Sequence, residues 1–144
     1  MPAAETTTAD LSGHCLCGAV TYRVSGPIAM SAICHCSHCQ RQTGSLFSMI
    51  CAVPSGAFNA SGEMSVFHDR GDSGQAVDRH FCPKCGSPIF SVVEAAPGLV
   101  FVKAGTLDDW QASPPTVEAY CDRSASWMPR FEGTATFAGP MGAE

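Results

Sequence analysis

The chain contains 144 residues, of which 45% are hydrophobic, and its formal net charge at pH 7 is −5. This length predicts one compact domain, and the acidic balance argues against nucleic-acid binding, which depends on Lys and Arg contacts to phosphates. The chain has no apolar run near the roughly 20 residues of a transmembrane helix and no basic and apolar secretory signal. We therefore expect a soluble, cytoplasmic protein without membrane partners.

The predicted elements are mainly β. Residues 1–12 lack hydrophobic periodicity and are predicted to be a disordered leader, followed by a folded domain over 13–136 and a flexible tail over 137–144. One short helix is predicted from His38 to Thr43, ended by Gly44 as its C′ residue, and segments 54–63 and 69–75 are predicted to be exposed loops. Short β-branched and aromatic segments, spaced about ten residues apart, indicate a sandwich, barrel or tent of antiparallel sheets. The predicted strands are 19–24, 28–34, 46–53, 63–68, 76–82, 88–93, 98–105 and 116–121.

Nine cysteines are the most unusual feature of the composition. Structural disulfides are disfavoured in the reducing cytosol, where clustered cysteines are more often metal ligands or catalytic thiols. Because like charges raise one another's pKa, seven clustered thiolates would need compensating cations, which two divalent metal ions would supply. The cysteine spacing fits this expectation, since seven of the nine fall into three short clusters.

Two of the clusters predict a structural zinc site. Cys15 and Cys17 are two residues apart, so in a strand both thiols would face one ion while Leu16 points into the core. The second cluster is CPKCG at 82–86, a knuckle turn in which Gly86 lets backbone N–H groups reach sulfur. CxC and CxxC together supply the four sulfurs of a closed zinc site, with Zn–S bonds of about 2.3 Å. The predicted ligands are Cys15, Cys17, Cys82 and Cys85.

The third cluster, Cys34, Cys36 and Cys39, predicts a reactive site. Cys34 and Cys36 would share a strand face, and Cys36 and Cys39 would share a helix face, so three sulfurs can converge where a strand meets a helix. The helix dipole at such a junction lowers the pKa of a thiol. A three-cysteine zinc site keeps its fourth position open, as catalytic zinc sites do, and that position could accept water or an incoming thiolate.

The alternative to an open three-cysteine site is a closed site in which a histidine supplies the fourth ligand. His35 points away from its cysteine neighbours in an extended segment, and His38 is predicted to be exposed or to act as a proton carrier. The two cysteines outside the clusters, Cys51 and Cys121, lie in apolar strand-like runs and are predicted to pack in the core.

Several motifs of the chain resemble the glutathione-dependent formaldehyde-activating enzyme (GFA) family, which also includes the domain of centromere protein V. The resemblance implies a β-tent fold, in which short antiparallel sheets meet over a zinc site. It also implies a structural zinc on the four-cysteine set and a second zinc, at the reactive site, on Cys34, Cys36 and Cys39. The shared motifs occur in the family's order over about residues 13–128 and comprise GxCxCGAV at 13–20, CHCSHCQRQTGS at 34–45, FCPKCGSPIF at 81–90, VKAGTLDD at 102–109 and Trp127.

The resemblance implies a carbon–sulfur lyase that forms or cleaves S-hydroxymethylglutathione from glutathione and formaldehyde. Its partners would be a small-molecule thiol and an electrophile, with glutathione as co-substrate and Cys34, Cys36 and Cys39 as catalytic residues. Arg41, Lys103 or Arg123 could pair with glutathione carboxylates, although the family often has two arginines where this chain has Gln40 and Arg41. The alternatives are cysteines that bind the thiol directly while zinc leaves, a non-enzymatic zinc-stabilised binding module or metal buffer, and a thiol redox or sulfoxide-reducing enzyme.

Overall fold

The computed structural model describes residues 10–141 and confirms a mainly β architecture. Each predicted strand is present with both ends within two residues of its predicted limits, and the helix is present as α1 (Ser37–Thr43). Residues 1–9 of the predicted leader and 142–144 of the predicted tail lie outside the described residues. Within the described part, no helix has the length and apolar composition needed to cross a membrane. The strands are β1 (Leu11–His14), β2 (Thr21–Val24), β3 (Met30–Cys34), β4 (Ser48–Pro54), β5 (Phe58–Ser61), β6 (Ser65–Arg70), β7 (Ala76–Phe81), β8 (Pro88–Val93), β9 (Leu99–Lys103), β10 (Val117–Ala119) and β11 (Ala135–Thr136).

Three short strands, β1, β5 and β11, have no clear apolar pattern and are not predicted by the sequence. The loop prediction for 54–63 is wrong where β5 pairs with β2 along its whole length. β1 begins at Leu11, two residues before the predicted start of the folded domain. In the segment predicted to be a tail, the carbonyl of Phe137 accepts a backbone hydrogen bond from Cys121, and that of Gly139 accepts one from Tyr120. These segments are defined by backbone pairing with other strands and turns rather than by an apolar pattern.

The strands form two sheets. A three-stranded antiparallel sheet has the order β1-β2-β5, and an eight-stranded sheet has the order β11-β10-β3-β4-β9-β8-β7-β6. The larger sheet is mixed. Strand β10 runs parallel to both β3 and β11, and all other neighbouring strands of this sheet are antiparallel. The sequence pattern predicts antiparallel sheets only, so the parallel pairs of β10 are a difference from that prediction. Parallel pairing requires a long connection, and the chain between β3 and β10 supplies it.

Side-chain alternation gives the eight-stranded sheet two different faces. On β9, Val100 and Val102 pack into the hydrophobic core, which also contains Tyr22 of the smaller sheet. Phe101 and Lys103 alternate with them and point to the opposite face, where they line a cavity. One face therefore holds the two sheets together, and the other is left to carry a site.

The helix α1 follows β3 after two residues and ends abruptly. Cys36 is its N-cap in an extended conformation, and the Cys36 sulfur accepts a hydrogen bond from the N–H of Cys39 at 3.3 Å. Gly44 ends the helix with a φ of 74°, the left-handed conformation predicted for a C′ glycine. The structure thus confirms a strand-to-helix junction within the third cysteine cluster, with the helix starting one residue earlier than predicted.

Candidate metal sites and the cysteine cavity

The structure brings together Cys15, Cys17, Cys82 and Cys85, the set called the quartet below, as the sequence predicts. Their four sulfur atoms lie within 4.8 Å of one another. The Cys15 and Cys17 sulfurs are 3.6 Å apart, and those of Cys17 and Cys82 are 3.8 Å apart. A tetrahedral zinc ion with Zn–S bonds of about 2.3 Å separates its sulfurs by about 3.8 Å. The quartet therefore has both the donor chemistry and the spacing of a closed zinc site.

A turn, rather than a strand, places the first two sulfurs of the quartet. Cys15 and Cys17 follow the end of β1, and Gly18 completes the turn with a φ of 83°. In this turn Leu16 is 85% exposed. The prediction that Leu16 points into the core is wrong, because strand alternation does not extend beyond His14.

Backbone N–H groups support the buried sulfurs of the quartet. The N–H of Val20 donates to the Cys15 sulfur at 3.2 Å, and the N–H of Lys84 donates to the Cys82 sulfur at 3.4 Å. Gly86 adopts a φ of 80° after the second pair, which allows the predicted knuckle turn. Such bonds stabilise thiolate sulfur, which is the form that binds metal.

The quartet lies at the edge of the hydrophobic core. Cys15 and Cys82 are fully buried there, Cys85 packs against the core, and Cys17 is exposed. Hydrogen bonds from Ser87 lower the pKa of Cys85 to about 5. The set therefore connects the core to two turns that are far apart in the chain.

The structure also brings together Cys34, Cys36 and Cys39, the set called the trio below. Their sulfurs lie within 4.8 Å of one another, and all three residues are half-buried. Cys34 ends β3, Cys36 caps α1, and Cys39 lies in the first turn of that helix. Three thiols in this arrangement suit a divalent metal ion such as zinc. They would supply three of its four ligands and leave the fourth coordination position open.

The three thiols of the trio share charge unequally. Hydrogen bonds from Cys34, which has the larger effect, and from Cys39 lower the pKa of Cys36 to about 2. Hydrogen bonding to Cys36 raises the pKa of Cys34. Of the three thiols, Cys36 is therefore the one whose deprotonated form these hydrogen bonds favour, and deprotonated sulfur is what a metal ion requires.

Neither nearby histidine belongs to the trio. His35 is buried and turns away from the cysteines, with its Nε2 3.0 Å from Glu118 Oε1. The Nδ1 of His38 lies 2.9 Å from Asp69 Oδ2. Among residues 10–141, the metal-ligating group at this junction consists of three cysteines.

A cavity of about 740 Å³ lies against the trio. Its floor is the face of the eight-stranded sheet opposite the core, and its rim includes the loop at 71–75, the turn at 121–123 and the segment 139–141. On this rim a guanidinium nitrogen of Arg123 lies 2.9 Å from a carboxylate oxygen of Asp72. The volume falls within the range of roughly 300–1,000 Å³ found for small-molecule sites.

Lys103 lines this cavity close to the trio. Its Nζ donates a hydrogen bond to Ser48 Oγ at 2.7 Å. Ser48 is the cross-strand partner of Cys34 in the pairing of β3 with β4. Burial lowers the pKa of Lys103, and the charge of the nearby thiolates opposes that shift.

Arg41 lies in a different place from Lys103. It lines a neighbouring pocket of about 420 Å³ that shares His38 and Arg79 with the cavity. Of the three cations predicted to contact glutathione, Lys103 therefore lies beside the trio, Arg123 lies on the rim of the same cavity, and Arg41 lines the neighbouring pocket.

Three charged residues near the trio are missed by the sequence reasoning. Asp69 Oδ2 accepts hydrogen bonds from Arg79 Nε and His38 Nδ1, both at 2.9 Å. Glu118 is buried and bonds to His35. The available signal is a charged residue inside a predicted strand, as Arg79 is in AVDRHFC and Glu118 is in TVEAYC.

The two cysteines outside the clusters differ in their surroundings. Cys51 packs in the hydrophobic core as predicted. Cys121 is only half-buried, so the prediction of core packing is wrong there, because it lies in the turn that follows β10. With His35 and Glu118 it forms a third group whose ligand atoms lie within 4.8 Å of one another.

The fold is similar to that of a Rhodobacter sphaeroides protein whose crystal structure was determined by structural genomics. The TM-score is 0.55 with 20% sequence identity, and the match covers 68% of this chain and 88% of that chain. At this identity the similarity concerns the fold alone.

Sequence comparison identifies relatives and a family. A protein of Aspergillus flavus is 31% identical over 105 residues and one of Phaeosphaeria nodorum is 33% identical over 103; both are provisionally named glutathione-dependent formaldehyde-activating enzymes. Each match covers 68% of this chain and 54% of the relative, so the chain spans about half the length of these relatives. The profile of the GFA family, described as glutathione-dependent formaldehyde-activating enzyme, matches residues 10–123. The chain therefore belongs to the glutathione-dependent formaldehyde-activating enzyme family.

Proposed function

We propose that this protein is a zinc-dependent carbon–sulfur lyase that forms or cleaves S-hydroxymethylglutathione or a related small thiol adduct. The observation that carries the proposal is the convergence of three cysteine sulfurs, with no fourth ligand from the described residues, against a ligand-sized cavity. Family membership supports glutathione and formaldehyde as the substrate class. We also propose a cytoplasmic location, because a reducing compartment keeps the nine free cysteines reduced.

The quartet is proposed to hold a structural zinc ion. Its four sulfurs complete a tetrahedral set, so no position remains for a substrate. Two of its ligands, Cys15 and Cys82, are buried in the core, as expected for a site that stabilises the fold. This site would connect the β1–β2 turn to the turn between β7 and β8.

The trio is proposed to be the reactive site. A bound zinc ion there would lower the pKa of an incoming thiol and hold the resulting thiolate. The chain's own contribution is to fix three sulfurs at the junction of β3 and α1 and to leave the cavity side open. The carbon chain of the thiol would lie against the apolar floor of the cavity, which includes Ile50, Val77 and Phe101.

Two cations are proposed to contact the bound ligand. Arg41 would pair with a glutathione carboxylate remote from sulfur, since its pocket adjoins the cavity at His38 and Arg79. Lys103 would contact the part of the ligand closest to sulfur, because its hydrogen-bond partner Ser48 lies opposite Cys34.

Metal analysis combined with turnover tests this proposal. We expect the wild-type protein to hold two zinc ions per chain and to turn over S-hydroxymethylglutathione. Cys36→Ser should hold one zinc ion per chain and lose turnover, since it removes one sulfur from the trio. Cys51→Ala changes a cysteine outside both sites and should keep both properties. Unchanged turnover in Cys36→Ser would contradict the proposal.

The same measurements separate the proposal from its alternatives. Release of one zinc ion per chain on adding glutathione, with turnover retained, would mean that the cysteines bind the thiol directly. Two retained zinc ions without thiol binding or turnover would mean a zinc-stabilised module or a metal buffer. The cavity beside the trio favours the enzyme, because ligand-sized concave sites are typical of proteins that bind small molecules.

A further inference from the structure

Two buried cations line the cavity beside the trio. Lys103 is 6% exposed, and the side chain of Arg79 is 7% exposed. Burial of a charged group is costly unless the group is paired and hydrogen-bonded. Each cation should therefore have acceptors for most of its N–H donors.

The described residues supply few of these acceptors. Lys103 Nζ donates to Ser48 Oγ at 2.7 Å, and Arg79 Nε donates to Asp69 Oδ2 at 2.9 Å. Within residues 10–141, Lys103 has no carboxylate partner, and the two terminal nitrogens of Arg79 form no hydrogen bond to protein. Because an ammonium has three donors and a guanidinium five, most donors of both groups are left for a ligand or solvent in the cavity.

Both cations lie close to the sulfurs of the trio. Ser48, the partner of Lys103, is the cross-strand neighbour of Cys34. Asp69, the partner of Arg79, also bonds to His38, which precedes Cys39 in α1. The free donors therefore belong to two different strands, β9 and β7, both of which follow β3 and β4 in the order of the eight-stranded sheet.

The position of these donors identifies the ligand atom that they would bind. In a hemithioacetal, the oxygen is attached to the same carbon as the sulfur. The carboxylates of glutathione are many bonds away from its sulfur and would reach beyond this part of the cavity. Charged donors form their strongest hydrogen bonds with anionic oxygen. Closeness to sulfur thus favours the oxygen of the electrophile over a carboxylate of glutathione.

We propose that Lys103 and Arg79 form an oxyanion site that binds the oxygen of a carbonyl electrophile while the trio holds the thiol; this inference rests on the function proposed above. During adduct formation, a sulfur electron pair forms the C–S bond and the π electron pair of the C=O bond moves to oxygen. The oxygen, held by the two cations, then takes up one proton, which balances the proton released by the thiol. Cleavage reverses these steps and needs no oxidant or reductant. Fixed donors of this kind stabilise the charge that develops on oxygen.

Equilibrium binding of two small thiols tests the site without turnover. Mercaptoacetate carries a carboxylate next to its sulfur-bearing carbon, and methyl mercaptoacetate has the same frame without the charge. Calorimetric titration of the metal-loaded wild-type chain should show about 10-fold tighter binding of the acid or more, because hydrogen bonds to charged groups contribute that much. Lys103→Met and Arg79→Gln should each remove most of this preference and leave the affinity for the ester unchanged, and Arg79→Lys should restore part of it.

Arg23→Gln is the matched control, since Arg23 is an exposed cation of the three-stranded sheet. This variant should keep the full preference for mercaptoacetate. Equal affinities of the two thiols in the wild type would overturn the oxyanion site, and so would a preference that survives in both Lys103→Met and Arg79→Gln. Failure of both thiols to bind the wild type would overturn the proposed thiol chemistry and the inference with it.

A kinetic measurement distinguishes an oxyanion site from a structural role of Lys103. Lys103→Met should lower kcat for cleavage of S-hydroxymethylglutathione by about 100-fold or more, with KM almost unchanged. This split is expected because the oxygen carries more charge in the transition state than in the bound substrate. An unchanged kcat, or a loss explained by a smaller folded fraction of the variant, would overturn the assignment.

Discussion

Replacement of Cys82 by Ser should destabilise the protein much more than replacement of Cys36 by Ser. Cys82 belongs to the quartet and is fully buried at the edge of the core. Cys36 belongs to the trio, is half-buried and lies beside the cavity. If the quartet is structural and the trio reactive, only the first change should remove a large part of the folding free energy.

The lengths of chain that the two sites connect give the expected magnitude. In the quartet, 64 residues separate Cys17 from Cys82. A cross-link that closes a loop of this length stabilises the folded state by about 4 kcal/mol through the entropy of the unfolded chain. The trio closes a loop of six residues, from Cys34 to Cys39, for which the same relation gives about 2 kcal/mol. Because domains have total stabilities of about 5–15 kcal/mol, the loss of the quartet should be severe.

Thermal unfolding of the zinc-loaded variants, followed by circular dichroism, measures this difference. Cys82→Ser should unfold at least about 6 °C below Cys36→Ser. Removal of zinc from the wild type with a chelator should lower Tm at least as far as Cys82→Ser does, since both lose the quartet zinc and chelation also removes the trio zinc. Equal Tm values for the two variants would refute the division between a structural and a reactive site.

Two further predictions concern the scaffold. Gly13→Ala should destabilise the protein by about 1–3 kcal/mol in denaturant unfolding, because a Cβ there would collide with a buried tyrosine ring and a backbone carbonyl; Gly56→Ala, where a Cβ meets no atom within 4 Å, should change stability far less. Glu118→Gln should lower the unfolding free energy at pH 7 by about 3 kcal/mol. Burial alone would raise the pKa of Glu118, but hydrogen bonds from Thr134 and His35 outweigh it and lower that pKa below 4.5. The charge of Glu118 therefore stabilises the fold fully above pH 4.5, and the difference between wild type and Glu118→Gln should shrink as the pH falls through the lowered pKa; a difference that stays constant between pH 7 and pH 3 would contradict this reasoning.

The cysteine sites could be predicted from sequence because most of their geometry is local. CxC and CxxC place pairs of sulfurs within a single turn, and the trio needs one strand-to-helix junction with Gly44 to end the helix. The joining of two pairs across 64 residues follows from ligand number, since two cysteines alone do not complete a zinc site.

The charged residues around the trio could not be predicted in the same way. Asp69 and Arg79 meet across the β6–β7 hairpin, and Glu118 meets His35 from 83 residues further along the chain. These contacts depend on strand order and register, which the sequence pattern does not specify. Leu16 shows a different kind of error. The predicted strand alternation at residues 15–17 is wrong, because the structure folds this segment as a turn.

Anomalous diffraction at the zinc edge, from crystals of the metal-loaded protein soaked with glutathione, tests the central claim most directly. We expect one zinc ion bound by the four sulfurs of the quartet. A second zinc ion should be bound by the trio and by the glutathione sulfur, at a distance of about 2.3 Å. A trio zinc whose fourth ligand is a protein side chain, with glutathione absent from the cavity, would contradict the account.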